Sequence, residues 1–310
     1  MNRCAFPKIR FLCLASRESA KIRPILDREG RSGLLLVSPT FLYALLLLAG
    51  PLLAIVVFSF WTQDFLTIDR TPTLNNYRQW IEDPLYAQLM LRSVLISGSV
   101  TLATVLLAFP IAYYVSFHVQ PSRKALWIFL ITIPFWTSYL IRVFLWKVIL
   151  GYNGVLNTSL LGIGLIDEPL TFILYNANAV VITLAHAYAP FAILPIFVAL
   201  EKIDRSLLEA SRDLGENRVM TFFRVTLPLS MTGVVAAVLI VFIPTVGDYV
   251  TPQLVGGPSG RMIANWIQTL FLAQNNAPMG AATAVGAMLI VGALSLVLLF
   301  LTRRWLRAGR

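Results

Sequence analysis

The sequence predicts an all-α integral membrane protein with both termini on the same side of the bilayer. Three observations lead there. Of 310 residues, 57% are apolar and only 13% are charged, whereas soluble domains carry about a quarter charged residues. Six apolar runs each reach the ~20 residues that a helix needs to cross hydrocarbon. Lys and Arg, finally, are gathered in alternate connecting segments.

The six runs are Gly33–Trp61, Ser93–Val119, Ala125–Leu150, Ala177–Leu200, Leu229–Val250 and Ala281–Leu301. Pro51, Pro110, Pro134, Pro190 and Pro244 interrupt five of them, and neighbouring helices of a bundle can satisfy the backbone groups those prolines free. Residues 1–32 read as a basic tail, 33–301 as a six-helix transmembrane domain with a long loop at 201–228, and 302–310 as a second tail. Eight Lys or Arg lie in the segment to Arg31, two in His118–Lys124, five in Glu201–Pro228 and four after Leu301. The opposite segments carry only Arg70, Arg78, Arg92 and Arg261. Positive loops stay cytoplasmic, so both tails and the 201–228 loop are placed there. The polar leader is some thirty residues long and its first apolar run exceeds a ~7–15-residue signal core, so no cleaved signal peptide is expected. Cys4 and Cys13 both sit in the basic tail, with no metal-ligand spacing, and receive no role.

The outward segments differ in kind. Thr62–Arg92 is polar, and Asn75, Asn76, Tyr77 and Trp80 suggest a short ordered piece. Gly151–Asn176 holds Asp167 and Glu168 but no Lys or Arg. Thr251–Gly280 opens on a Gly256-Gly257-Pro258 turn. Ile263, Trp266, Ile267 and Leu270 then form one face of an amphipathic helix, lying at the interface or folded over a pore mouth.

Chemistry of a catalytic kind is missing from the sequence. It contains no Gly-x-x-x-x-Gly-Lys-Ser/Thr nucleotide loop, and His118 and His186 are sixty-eight residues apart. No cofactor, metal or nucleic-acid partner is expected. Ionisable residues inside spans mark function by default. At a helical rise of ~1.5 Å, Trp136 stands about 18 Å and Arg142 about 27 Å above Lys124, and Asp248 about 28 Å above Leu229. Arg142 and Asp248 are thus either a structural ion pair or interfacial anchors, or part of the outer mouth of a path. With Tyr188 and Tyr249, Trp136 would offer aromatic faces to a cation there.

The 201–228 loop has local structure of its own. Ser206 and Glu209 form a capping-box pair, Gly215 fits a left-handed C-terminal cap, Asn217 caps a second short helix, and Pro228 opens the next span. Glu209-Ala210-Ser211, three residues, Gly215, nine residues, then Val225-Thr226-Leu227-Pro228 resembles the Glu-Ala-Ala loop of bacterial ABC importer permeases. Ser211 stands for the usual second Ala and Val225 for the usual Ile. The resemblance implies a type I ABC importer permease fold in the bacterial inner membrane. It also implies a cytoplasmic ATPase dimer docking on Glu209, Ala210, Ser211, Gly215, Leu227 and Pro228, a second homologous permease subunit, and a periplasmic solute-binding protein.

A narrower resemblance points to the solute. Pro134-Phe135-Trp136-Thr137-Ser138 with Arg142 and Trp146, Ala199–Asp204, Gly247-Asp248-Tyr249-Val250-Thr251-Pro252 and Asn276–Ala282 are similar to spermidine/putrescine permeases. Ala277 replaces the usual Trp of the last motif. A polyamine solute is what this implies. The competing reading is a stand-alone secondary transporter or channel for a small cation. That would need intramembrane carboxylates or half-helix sites for coupling ions, and Asp248 is the one candidate within the spans.

Overall fold

The computed structural model describes residues 28–65 and 67–308; Cys4, Cys13 and most of the basic tail lie outside them. The chain divides at Ala54 into two units, each described by itself. Up to Ala54 the first unit is helix α1, Arg28–Ser59. Its side chains, Leu36, Phe41, Leu46 and Leu53 among them, are exposed, which suits a helix whose solvent is lipid rather than water.

The second unit begins with the end of α1 and a short hairpin, β1 (Thr62–Asp64) against β2 (Thr67–Asp69). Helix α2 (Asn75–Glu82) follows and is the ordered piece expected near Asn75. The Asn76 amide donates to the Ser59 and Trp61 carbonyls at 3.1 and 2.6 Å, and Tyr77 shares a 2.7 Å hydrogen bond with Ser59. Helix α3 runs from Pro84 to Phe117, starting well before the expected Ser93. Asp83 caps it through the Leu85 N–H, and Pro84 suits a first turn that needs no donor.

The third apolar run departs from the expected straight span. Helix α4 (Pro121–Thr132) ends in a 3-10 turn, Ile133–Trp136, and α5 (Tyr139–Ile149) leaves at 86° to it. Pro134 supplies no N–H, and Thr137 and Ser138 are extended, with ψ of 143° and 136°. The Thr137 hydroxyl satisfies the Pro134 carbonyl at 2.8 Å. A depth counted along a straight helix therefore fails for Arg142.

Beyond a short helix, α6 (Val155–Gly162), lies α7 (Ala177–Glu201), capped by Asn176 on the Asn178 and Ala179 N–H groups. Then come α8 (Arg205–Asp213), α9 (Arg218–Thr221) and a π-helical turn over Phe222–Thr226 that runs straight into α10 (Leu227–Val246). Helix α10 stops short of the expected Val250, so Asp248 lies beyond its end. Helices α11 (Val250–Val255), α12 (Ile263–Leu272) and α13 (Ala277–Ala308) complete the described chain. Among the described residues five helical stretches are long and apolar enough to cross a membrane, and the bent α4–α5 pair, counted as one span, brings the number to six.

Helix α7 is central, packing against both α3 and α10. Its buried face (Val180, Leu184, Ile196 and Leu200) meets Val100 and Ala108 of α3 and Ala237 and Val241 of α10. A second cluster joins Tyr86, Leu89 and Met90 of α3 to Ile263 and Leu270 of α12 and to Met279 and Ala287 of α13. The amphipathic α12 is thus folded into the bundle by its Ile263 and Leu270 face.

Small residues set the α7–α10 distance, as they do where no hydrophobic force drives helices together in lipid. A Cβ on Gly233 would overlap the Pro195 carbonyl and the Ala199 methyl, whereas one on Gly292 would meet nothing. Gly233→Ala should lower stability by about 1–3 kcal/mol through overpacking. Gly292→Ala should be neutral or slightly stabilising. Thermal unfolding of the purified variants in detergent checks this, and equal melting temperatures would contradict the close crossing.

Candidate functional site

Two groups of residues stand out, at opposite ends of α10. The first is the loop from Glu201 to Pro228. Helix α8 starts two residues earlier than the Ser206–Glu209 pattern suggested: the cap is Asp204, whose carboxylate accepts the Ser206 N–H at 3.0 Å. That hydrogen bond holds the Asp204 carboxyl below the usual range. Gly215 has φ +89°, the left-handed conformation in which only glycine avoids strain. Its N–H bonds to the Arg212 carbonyl at 2.9 Å and the Glu216 N–H to the Ser211 carbonyl at 3.2 Å, a Schellman closure that satisfies the last carbonyls of α8. Asn217 caps α9 through the Met220 N–H at 2.8 Å.

Ser211 is buried, and its hydroxyl pairs with Thr221 at 3.1 Å, tying α8 to α9. Arg224 pairs with Glu216 across the same turn. Phe222 sits edge-on to Phe109 and Tyr113 of α3, at 5.5 and 6.0 Å between ring centres. The loop is therefore a packed helix–turn–helix. Glu209 and Ala210 are exposed on it, as are the apolar Leu207, Leu214, Val219 and Phe223. Leu227 and Pro228 are half-buried where the π turn enters α10.

The second group is polar and lies where α5 meets the end of α10. Asp248 is 9% exposed. One carboxylate oxygen accepts the Tyr139 hydroxyl at 2.5 Å, and the other accepts the Val250 and Thr251 N–H groups at 2.9 and 3.4 Å. The Thr251 hydroxyl lies 2.6 Å from the Tyr139 oxygen. Since the single phenolic proton goes to Asp248, Thr251 donates in that contact. Arg142 does not pair with Asp248. Its guanidinium donates to the Ala187 carbonyl at 3.3 Å and lies 5.9 Å from the centre of the Tyr139 ring, and its Nε is buried without a partner. Tyr139 thus stands between the two ionisable groups that sequence had set at one depth.

Of the aromatic candidates, Tyr188 follows the carbonyl that holds Arg142 and packs on Phe191, which in turn touches Phe135. Tyr249 is partly exposed, and its carbonyl accepts the Asn265 amide at 2.8 Å. Trp136 is 78% exposed and packs edge-on to Phe129 of its own helix, apart from the cluster. Sequence reasoning passed over Tyr139 and Thr251, and also His186, which accepts the Trp146 indole N–H at 3.1 Å. The available signal was the spacing of Tyr139 and Arg142, three apart on one helix face.

Tyr139→Phe should leave the buried carboxylate one donor short and cost about 1–3 kcal/mol. Thermal unfolding measures this loss; an unchanged melting temperature would mean that Asp248 is satisfied without Tyr139.

Comparison with known proteins places this geometry. Residues 33–308 match the family model described as "Binding-protein-dependent transport system inner membrane component". The chain is 39% identical over 248 residues to the spermidine/putrescine transport system permease protein PotB of Haemophilus influenzae, covering 80% of this chain and 86% of that one. It is 37% identical over 248 residues to PotB of Escherichia coli K12, covering 80% and 89%. It is 33% identical over 272 residues to the inner membrane ABC transporter permease protein YdcU of the same organism, covering 83% and 85%. A crystal structure of a bacterial ABC transporter involved in alginate import matches in fold, with a TM-score of 0.66 over 88% of this chain and 96% of that one at 18% identity. With its several apolar helices the protein is a multi-pass inner-membrane transport subunit, not an enzyme, and the chain belongs to the family of binding-protein-dependent transport system inner membrane components.

Proposed function

We propose that this chain is the permease subunit of an ABC importer for a polyamine of the spermidine or putrescine type. A second, similar permease completes the pore, a periplasmic binding protein delivers the solute, and a cytoplasmic ATPase dimer docks on the 201–228 loop. The observation that carries the solute class is the 37–39% identity, over four-fifths of the chain, to permeases named for spermidine and putrescine. The loop supports the docking site. It is rigidly closed at Gly215, and it leaves Glu209 and four large apolar side chains exposed, as a surface awaiting a partner would.

The polar cluster supplies the cation-facing part of the reading. A di- or tri-cation crossing low dielectric needs negative or π-rich partners, because desolvation is costly. Asp248 is the carboxylate at hand. It is held by neutral donors, so a solute ammonium group can draw on it without first breaking an ion pair. Arg142 is turned into the seam between α5 and α7, bound to a backbone carbonyl, which lessens its repulsion of a cationic solute. Trp136, exposed at the end of α4, leaves its ring free to attract a cation.

Uptake into vesicles holding the whole complex tests the reading. Asp248→Asn and Trp136→Ala should each lower putrescine or spermidine uptake about tenfold, equivalent to about 1.4 kcal/mol, with the ATPase still bound. Gly215→Pro should uncouple ATP hydrolysis from uptake, because proline cannot adopt its positive φ. A complex that ignores polyamines and takes up an anion would remove the solute assignment. Normal coupling in Gly215→Pro would remove the docking assignment.

Topology has its own test. With Cys4 and Cys13 replaced, Ser206→Cys should be labelled only from the cytoplasm and Ser259→Cys only from the periplasm. Both positions are exposed. The reverse pattern would overturn the orientation.

A further inference from the structure

Four elements meet at the loop end of the bundle in a polar node at the root of the docking loop, apart from the exposed Glu209 face and the solute path. Glu201, the last residue of α7, accepts from Lys124 Nζ at 2.6 Å and from the Ser116 hydroxyl at 2.7 Å. The Lys124 side chain is 14% exposed and that of Glu201 35%. Arg205, the first residue of α8, reaches the Ser116 carbonyl at 3.5 Å. Only Lys202, Ile203 and Asp204 separate α7 from α8, and the Ile203 side chain is buried in the main core. The start of the loop is therefore held at once to α3, α4 and α7.

The loop leaves this node by two arms. One passes through α9 and the π turn, with no interruption of helix, into α10, whose far end carries Asp248. The other runs through the Lys124–Glu201 pair into α4, whose far end carries Trp136, and then across the bend to Tyr139. Tyr139 and Asp248 are hydrogen-bonded to each other, so both arms end on the same cluster. Exposed ion pairs contribute little, but here the lysine end is shielded while Glu201 stays partly exposed, and the pair fixes a lysine from another helix. We infer that the Lys124–Glu201 pair is a positioning clasp that transmits movement of the loop to α4, so that the two halves of the broken span follow the ATPase together with α10. This rests on the reading of 201–228 as the docking loop.

Intermediacy in space is not coupling, so the test reads each arm separately. In the complete complex, with Cys4 and Cys13 replaced, Trp136→Cys reports on the α4 arm and Tyr249→Cys on the α10 arm. Thiol labelling rates are measured without nucleotide and after trapping with ATP and vanadate. Both rates should change at least about fivefold on trapping. Adding Lys124→Met or Glu201→Gln should abolish the change at Trp136→Cys and leave that at Tyr249→Cys, a separation that general loss of structure would not give. Exchanging the charges, Lys124→Glu with Glu201→Lys, should restore the response. The inference is overturned if Trp136→Cys never responds, or if it responds equally with Lys124→Met present. Where a single variant no longer holds the ATPase, the charge-exchanged protein decides: recovery at Trp136→Cys supports the clasp and its absence removes it. Gly215→Pro separates the two readings. If it silences both positions while Lys124→Met silences neither, the docking loop stands and the clasp falls. If it silences neither, the docking reading falls and takes the clasp with it.

Discussion

Where α10 crosses α7, Gly233 lies against the Pro195 carbonyl and the Ala199 methyl, and the rest of the bundle is arranged around that approach. In water, burying leucines would pull the two helices together. In lipid it does not, because the tails are as apolar as the side chains, and what remains is close packing of small residues. Helix α7 is suited to this: Ala179, Ala185, Ala187, Ala192 and Ala199 are all buried. Its prolines, Pro190 and Pro195, free backbone carbonyls inside hydrocarbon, which is tolerable only where a neighbour covers them.

The broken third span makes the opposite demand on the fold. A bend of 86° exposes peptide groups that a continuous helix would satisfy, and non-helical backbone at membrane depth survives only when buried in protein or lining a cavity. The cost is offset locally by the Thr137 hydroxyl on the Pro134 carbonyl and by the Ser138 carbonyl, which accepts the Arg142 N–H. It is offset at longer range by Tyr139, which docks α5 on Asp248 and Thr251. One phenol thereby does two things, satisfying a buried carboxylate and anchoring the second half of the bent pair.

How much of this was legible follows from what each signal encodes. Hydropathy gives the number of spans because lipid leaves only helices or barrels possible, but it carries no direction. The sequence around Pro134 therefore read as another proline within a span, like Pro110 or Pro244, which remain inside continuous helices. Gly215 and Asn217 were legible because left-handed backbone and N-caps have narrow residue preferences. The cap of α8 was misplaced because Ser206 and Glu209 fit the capping-box pattern, whereas Asp204, which does the capping, has Leu207 in place of the expected acid or amide. The 263–270 periodicity gave α12 but not its place, since an interfacial helix and one folded into the bundle share a pattern. Arg142 and Asp248 looked like partners only while both helices were taken as straight. Tyr139 went unnoticed because a tyrosine in a span reads first as an interfacial anchor.

The separation of Arg142 from Asp248 bears on the proposed path more than their pairing would have. A buried ion pair holds its members strongly, and removing one leaves the other uncompensated. A solute that competed for Asp248 would then have to strand Arg142. Here each group is held by neutral partners: the carboxylate by a phenol and two N–H groups, the guanidinium by a carbonyl and the ring of Tyr139. Hydrogen bonds of this kind exchange one at a time. A passing ammonium group can take the place of Tyr139 on one carboxylate oxygen while the Val250 and Thr251 amides keep the other. Displacing Tyr139 would in the same step break its hydrogen bond to Asp248 and leave α5 with its contact to Thr251. On the proposed reading, solute passage and movement of the broken span would both draw on the Tyr139–Asp248 hydrogen bond.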